Sequence, residues 1–183
     1  EGIEAFLQGL EAYMESPVYP NVFGARVYKI SRDPAGNRLT HMKITGGSLK
    51  VKEALSAEET NEAQKKEKVN QIRIYSGEKY ELVQEAEAGT VCAVTGLTFT
   101  RPGMTLGEEK DVSAPMLEPV LSYRVQYPRE VDAHTMLGYL KQLEEEDPML
   151  RIVWKEENGE IGVQLMGEIQ IEILRSLIEE RFG

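Results

Sequence analysis

The segment that most restricts the fold is residues 143–173, LEEEDPMLRIVWKEENGEIGVQLMGEIQIEI, which reads as helix end, strand, turn, strand and helix start. The acidic run Glu144-Glu145-Glu146-Asp147 closes a helix. Pro148 forbids its continuation, because the ring removes an N–H and restricts the residue before it. Leu150, Ile152 and Trp154 alternate with Arg151, Val153 and Lys155, the period of a half-buried strand. Asn158-Gly159 predicts a type I′ hairpin turn with positive φ at its two central residues. Ile161, Val163 and Leu165 alternate back. After Gly167 a helical period takes over, presenting Ile171, Leu174, Leu177, Ile178 and Phe182.

Ahead of this segment, residues 120–126 predict a strand. Asp132 predicts the N-cap of a helix with Ala133, Met136, Leu137, Leu140 and Leu143 on one face. The order β-α-β-β-α is the split βαβ pattern of a ferredoxin-like domain, placed at residues 113–183 with its last strand missing. Residues 120–126 are then expected to be an open sheet edge.

Residues 18–112 have a strand period. Strands are expected at residues 22–31, 38–45, 49–52, 69–75, 80–83 and 90–94, with turns at Asp33-Pro34-Ala35-Gly36-Asn37, Gly46-Gly47 and Arg101-Pro102-Gly103. Many short strands at turn-marked intervals predict a closed or nearly closed β-barrel. The polar stretch at residues 56–68 is expected to be a long hairpin excursion. Residues 111–119, with Pro115 and Pro119, are expected to be an extended connector between two separately packed domains. Residues 1–15 read as an amphipathic helix (Ile3, Phe6, Leu7, Leu10, Tyr13, Met14) ended by Pro17 and Pro20. The chain begins at Glu1 rather than Met, which suggests an excised fragment.

Charge is unevenly placed. The net −10 divides into −4 over residues 1–17, +1 over 18–112 and −7 over 113–183. Residues 18–52 hold seven bases and one acid. Arg26, Lys29, Arg32, Arg38, Lys43, Lys50 and Lys52 are therefore the candidate contacts to RNA phosphate, or else a solvated strand face. Lys50 and Lys52 are expected on one face, as are Arg26 and Arg32 if their strand is unbroken.

The chain lacks a G-x-x-x-x-G-K-[ST] loop, an H-E-x-x-H run and paired C-x-x-C motifs, so no nucleotide or metal chemistry is indicated. The single Cys92, in TVCAV, reads as a small buried hydrophobe, and His41 and His134 as structural or surface residues. Glu168 and Glu172 share a helical face, yet nothing else converges on them for acid/base work. No apolar run reaches the ~20 residues of a membrane-spanning helix, and no signal peptide is visible.

EEDPMLR followed by LMGEIQIEI resembles the third domain of elongation factor G and its relatives, where a GMGELHLE-type segment joins strand to helix. VYKISRDPAGNRLTHMKITGGSL and EAEAGTVCAVTGL resemble the second domain of translational GTPases. The DPxLR form, and Gln170 where elongation factor G has His, are closer to the tetracycline-resistance ribosomal protection proteins. The fold class implied is mostly β plus α+β, a translation-factor-type barrel followed by a truncated ferredoxin-like domain. Residues 1–17 would be the trailing helix of a missing GTPase domain, and the chain a cytoplasmic, non-catalytic fragment.

By this resemblance the full-length protein would bind GTP and Mg²⁺ and dock on the ribosome. The barrel would meet small-subunit rRNA and ribosomal proteins, with neither membrane nor DNA as partner. The third domain would relay the nucleotide state. Met166, Gly167, Glu168, Gln170 and Glu172 would lie at the interface with the GTPase domain. An ordinary translocation factor, or a free-standing RNA-binding barrel, are the alternatives.

Overall fold

The structure, a computed structural model, describes residues 2–15, 17–56, 66–110, 119–128 and 130–183. The expected connector, apart from Pro119, and most of the expected hairpin excursion lie outside these residues.

Helix α1 (Ile3–Tyr13) buries none of its residues; Ile3 is 73% and Phe6 65% exposed. The barrel follows. It consists of β1 (Gly24–Arg32), β2 (Arg38–Gly46), β3 (Ser48–Lys50), β4 (Ala54–Leu55), β5 (Glu67–Lys68), β6 (Gln71–Ser76), β7 (Lys79–Val83), β8 (Glu85–Glu87), β9 (Val91–Thr95) and β10 (Thr105–Gly107). Six of these form one sheet in the order β10-β1-β2-β9-β6-β7, while β3-β8 and β4-β5 are separate ribbons. The β4-β5 ribbon is the base of the expected excursion. Strands β8 and β10 were not expected; at three residues each they are too short to display a period.

Alternation builds the core. Ala25, Val27 and Ile30 of β1 face Ile44, Met42 and Thr40 of β2, all buried. A bulge interrupts this: Val27 pairs with Met42 but Lys29 pairs with His41, leaving Tyr28 as the extra residue. Parity on β1 reverses there. Arg26 therefore points outward, whereas Arg32, paired with Arg38, follows the inward-facing series, and the expectation that Arg26 and Arg32 share a face is corrected. Lys50 and Lys52 do not share a strand either, because β3 ends at Lys50 and Lys52 sits in a turn at φ 71.

The second unit comprises β11 (Leu121–Arg124), α2 (Ala133–Glu146), β12 (Arg151–Lys155), β13 (Glu160–Leu165) and α3 (Ile169–Phe182), with sheet order β11-β13-β12. Asp132 caps α2 by accepting from His134 N and Thr135 N. Met136, Leu140 and Leu143 of α2 pack on Ile152, Ile161, Val163 and Leu165 in a core separate from the barrel's. The β12-β13 turn differs from the expected type I′. Lys155 pairs with Glu160, so the loop has four residues, and only Gly159 has positive φ (64). Asn158 instead accepts from Glu160 N through its side chain at 3.2 Å, an Asx turn. Among the described residues β11 pairs with β13 alone, and a groove of about 740 Å³ runs beside it between α2 and α3.

Candidate nucleic-acid interface and interdomain junction

The bulge at Tyr28 sorts the basic residues into two groups. On the outer face, Arg26 sits opposite Lys43 and Lys29 opposite His41. All three cations are exposed. Arg26 is paired with Glu109 at 2.6 Å, while Lys29 and Lys43 have no ion-pair partner among the described residues. Lys50 is exposed beside Glu85 at 3.6 Å, and Lys52 is exposed in its turn.

Arg38 and Arg32 occupy the end of the barrel. Arg38 donates to Thr40 Oγ1 (3.2 Å), Leu97 O (2.8 Å), Thr100 Oγ1 (2.9 Å) and Thr100 O (2.5 Å). Its Nε reaches Glu145 of α2 at 3.1 Å, and Arg32 reaches the same carboxylate oxygen at 3.2 Å. Only 12% of the Arg38 side chain is accessible. The guanidinium is thus committed to the barrel rim and the interdomain contact, so a charge reversal there cannot report on RNA alone.

Glu145 belongs to the acidic run that ends α2, where the helix dipole disfavours negative charge. Each of the four carboxylates is met by a different partner. Glu144 accepts from Ile152 N (2.6 Å) and Lys141 (2.6 Å). Glu145 takes the two barrel arginines. Glu146 binds Arg181 of α3 through two hydrogen bonds, at 2.8 and 2.9 Å. Asp147 accepts from Met149 N at 2.9 Å and faces Gln170 Nε2 at 3.5 Å.

Gln170 also accepts from Met166 N at 2.7 Å, so the strand-to-helix segment is tied to the end of α2. Gln170 lines a groove with Lys29, Ile30, Leu143 and Ile173, between barrel and second unit. Glu168 and Glu172 are exposed; Met166 and Gly167 are half-buried. Cys92 is buried, which pushes its thiol up to about 11. His134 lies against Trp154, ring centroids 5.5 Å apart.

The β1-β2 turn is held by Asp33, which accepts from Ala35 N (3.0 Å), Asn37 N (2.9 Å), Asn37 Nδ2 (3.0 Å) and Arg73 (2.9 Å). The Asn37 bonds, with Arg73 adding to them, hold the carboxyl well below its ordinary value, at about 2. A depressed carboxylate stabilises the fold above its unfolded-state value and loses that contribution as it protonates. The urea midpoint of the barrel is therefore expected to fall between about pH 4 and pH 2. Asp33→Asn should lower it at neutral pH and flatten the acid limb, as a pH series of denaturation curves checks.

Sequence reading passed over one set of residues. Tyr75 and Tyr80 are cross-strand partners flanking the β6-β7 turn, and their rings lie 5.3 Å apart. The spacing Y-x-x-x-x-Y around Ser76-Gly77 was the available signal. His41 stands 6.2 Å from Tyr75 and 6.1 Å from Tyr28, extending the row across the outer face.

A barrel whose rim is pinned to a ferredoxin-like domain through α2 has the architecture of translation-factor domains. The chain carries the second and third domains of the elongation factor G family. Residues 22–109 match the family model Elongation factor G domain 2, and residues 116–183 match Elongation Factor G, domain III. Elongation factor G of Amoebophilus asiaticus is 28% identical over 207 residues, covering 100% of this chain and 29% of that protein. Elongation factor G 1 of Bdellovibrio bacteriovorus is 31% identical over 200 residues, covering 95% of this chain and 28% of that protein. A crystal structure of a Thermus thermophilus protein shares the fold with a TM-score of 0.68 at 24% identity, over 94% of this chain and 27% of that one. The chain thus spans less than a third of the length of the relatives it matches. No helix among the described residues is long and apolar enough to cross a membrane.

Proposed function

We propose that this chain is the docking and relay portion of a cytoplasmic, ribosome-binding translational GTPase. The observation that carries this reading is the outward-facing pair Lys29 and Lys43, cations without ion-pair partners among the described residues, on a chain that otherwise bears net negative charge. Together with Arg26 they suit phosphates of small-subunit rRNA, positioning the factor rather than reading sequence. Lys50 and Lys52 can add to this at the ribbon beside them, and ribosomal proteins are further partners. Arg32 and Arg38 serve the domain junction instead.

GTP and Mg²⁺ belong to a GTPase domain outside these residues. The sequence has no phosphate loop, and the described residues include no cluster of three or more His, Cys, Asp or Glu able to hold a metal. The division at residues 1–17, 18–112 and 113–183 gives α1 the role of trailing helix of that domain, in keeping with its exposed apolar stripe. Met166, Gly167, Glu168, Gln170 and Glu172 then carry the nucleotide state into the second unit. The Asp147–Gln170 contact joins the DPxLR form to the LMGEIQIE segment, the two features on which the finer reading, displacement of tetracycline rather than ordinary translocation, rests.

In the protein carrying this chain, Lys29→Glu with Lys43→Glu is expected to weaken ribosome binding. It should also reduce the slope of log K against log salt by about 2, because two phosphate contacts are lost. GTP affinity should not change. An unaltered salt slope in a ribosome pelleting series sinks the RNA reading.

A further inference from the structure

The tips of the β1-β2 and β6-β7 hairpins enclose a cleft of about 570 Å³ on the outer face of the sheet. Its walls are Pro34 and Ala35 on one side and Tyr75 and Tyr80 on the other, and its floor is Leu39, His41 and Arg73. Tyr75 and Tyr80 are 38% and 48% exposed. The Arg73 guanidinium lies 4.6 Å from the Tyr80 ring centroid and is fixed by Asp33, so the tyrosine is held as a rigid platform. The floor also offers polar edges, since Ser31 Oγ and His41 Nε2 share a hydrogen bond of 2.7 Å. Burial, with Lys29 beside it, lowers the His41 imidazole from its ordinary value. Lys29 is the cross-strand partner of the floor residue His41 and also lines the groove toward Glu146 and Asp147, and Lys43 lies two residues beyond His41 on β2. Glu78 is the rim carboxylate besides Asp33, and Asp33 is neutralised by Arg73.

We propose that this cleft takes one unpaired nucleobase of an RNA, stacked on Tyr75 with the Tyr80 ring, tilted by 48° to it, against the edge of the base, and with Lys29 and Lys43 on the flanking phosphates. Planar aromatic faces, hydrogen-bonding groups at ring height and adjacent cations without acidic partners are the combination that single-stranded RNA recognition uses. A peptide without acidic or phosphorylated side chains would gain nothing from the lysine pair. The proposal rests on the reading that the barrel meets RNA, and adds that one base leaves its helix to be held.

The test measures binding of the protein carrying this chain to a single-stranded twelve-residue oligoadenylate and to the same strand in duplex with oligouridylate. Single strand is expected to bind more tightly than duplex. Tyr75→Ala with Tyr80→Ala should weaken single-strand binding about tenfold or more, while Tyr75→Phe with Tyr80→Phe stays within about twofold. Both tyrosine pairs should leave the salt slope intact, and matching thermal melts establish that the variants fold. If the lysine variant lowers the salt slope but the alanine variant binds as wild type, the cleft proposal is overturned and the RNA reading stands. If neither has an effect, both fall. Retained RNA binding with lost association to another protein likewise overturns the proposal.

Discussion

Gly96→Ala is expected to lower the stability of the barrel by roughly 3 kcal/mol, the sum of a left-handed penalty of about 1–2 kcal/mol and overpacking of about 1–3 kcal/mol. Gly96 follows β9 at φ +100, and a Cβ there would stand 2.3 Å from Lys68 O and 2.8 Å from the Asn70 side chain. The first of these neighbours is backbone and cannot move aside cheaply. Asn70 N donates to Thr95 O at 2.8 Å, so any displacement also breaks a bond joining the approach of β6 to β9. Gly36→Ala is the matched control: its φ is +81, but nothing lies within 4 Å of the added carbon. Its cost should be confined to about 1 kcal/mol. Urea titrations with unchanged m values would separate the two substitutions by about 1 M or more in midpoint. Equal midpoints would refute the steric argument.

Arg38→Met should cost the barrel about 3–5 kcal/mol. Methionine retains the aliphatic stem but removes every donor that meets Leu97 O, Thr100 O and the hydroxyl pair of Thr40 and Thr100. Thr40 and Thr100 are 0% and 3% exposed, so water cannot readily replace the lost bonds. Glu145→Gln, in contrast, acts on a carboxylate with 44% of its side chain accessible and should cost under about 1 kcal/mol. The comparison locates the energetic weight of Arg38 in the barrel rather than in the ion pair. It is read from denaturation curves followed by barrel and second-unit probes. Equal losses from the two variants would mean that the ion pair dominates.

Most of the second unit was legible because its residues obey one period at a time. The alternation of Ile161, Val163 and Leu165, the stop at Pro148 and the cap at Asp132 each act through local chemistry. The four-residue turn at Asn158 was missed because Asn can satisfy a turn through its side chain as readily as through positive φ. In the barrel the decisive irregularity left no mark. Tyr28 and Lys29 are both exposed, so the apolar pattern does not disclose which of them is the extra residue. Everything on β1 after the bulge inherits its parity, including the placement of Arg32. The partners of Glu144 to Asp147 were beyond reach for another reason: sequence proximity places four charges together, but tertiary packing chooses their partners.

Arg38 has one more consequence. A side chain already fixed by four oxygens of the barrel has little rotamer freedom left to lose when it meets Glu145. The junction therefore combines a weak bond with a preorganised one. With 44% of its side chain accessible, Glu145 adds little to the strength of the junction, while the immobile guanidinium restricts the direction from which α2 can meet it.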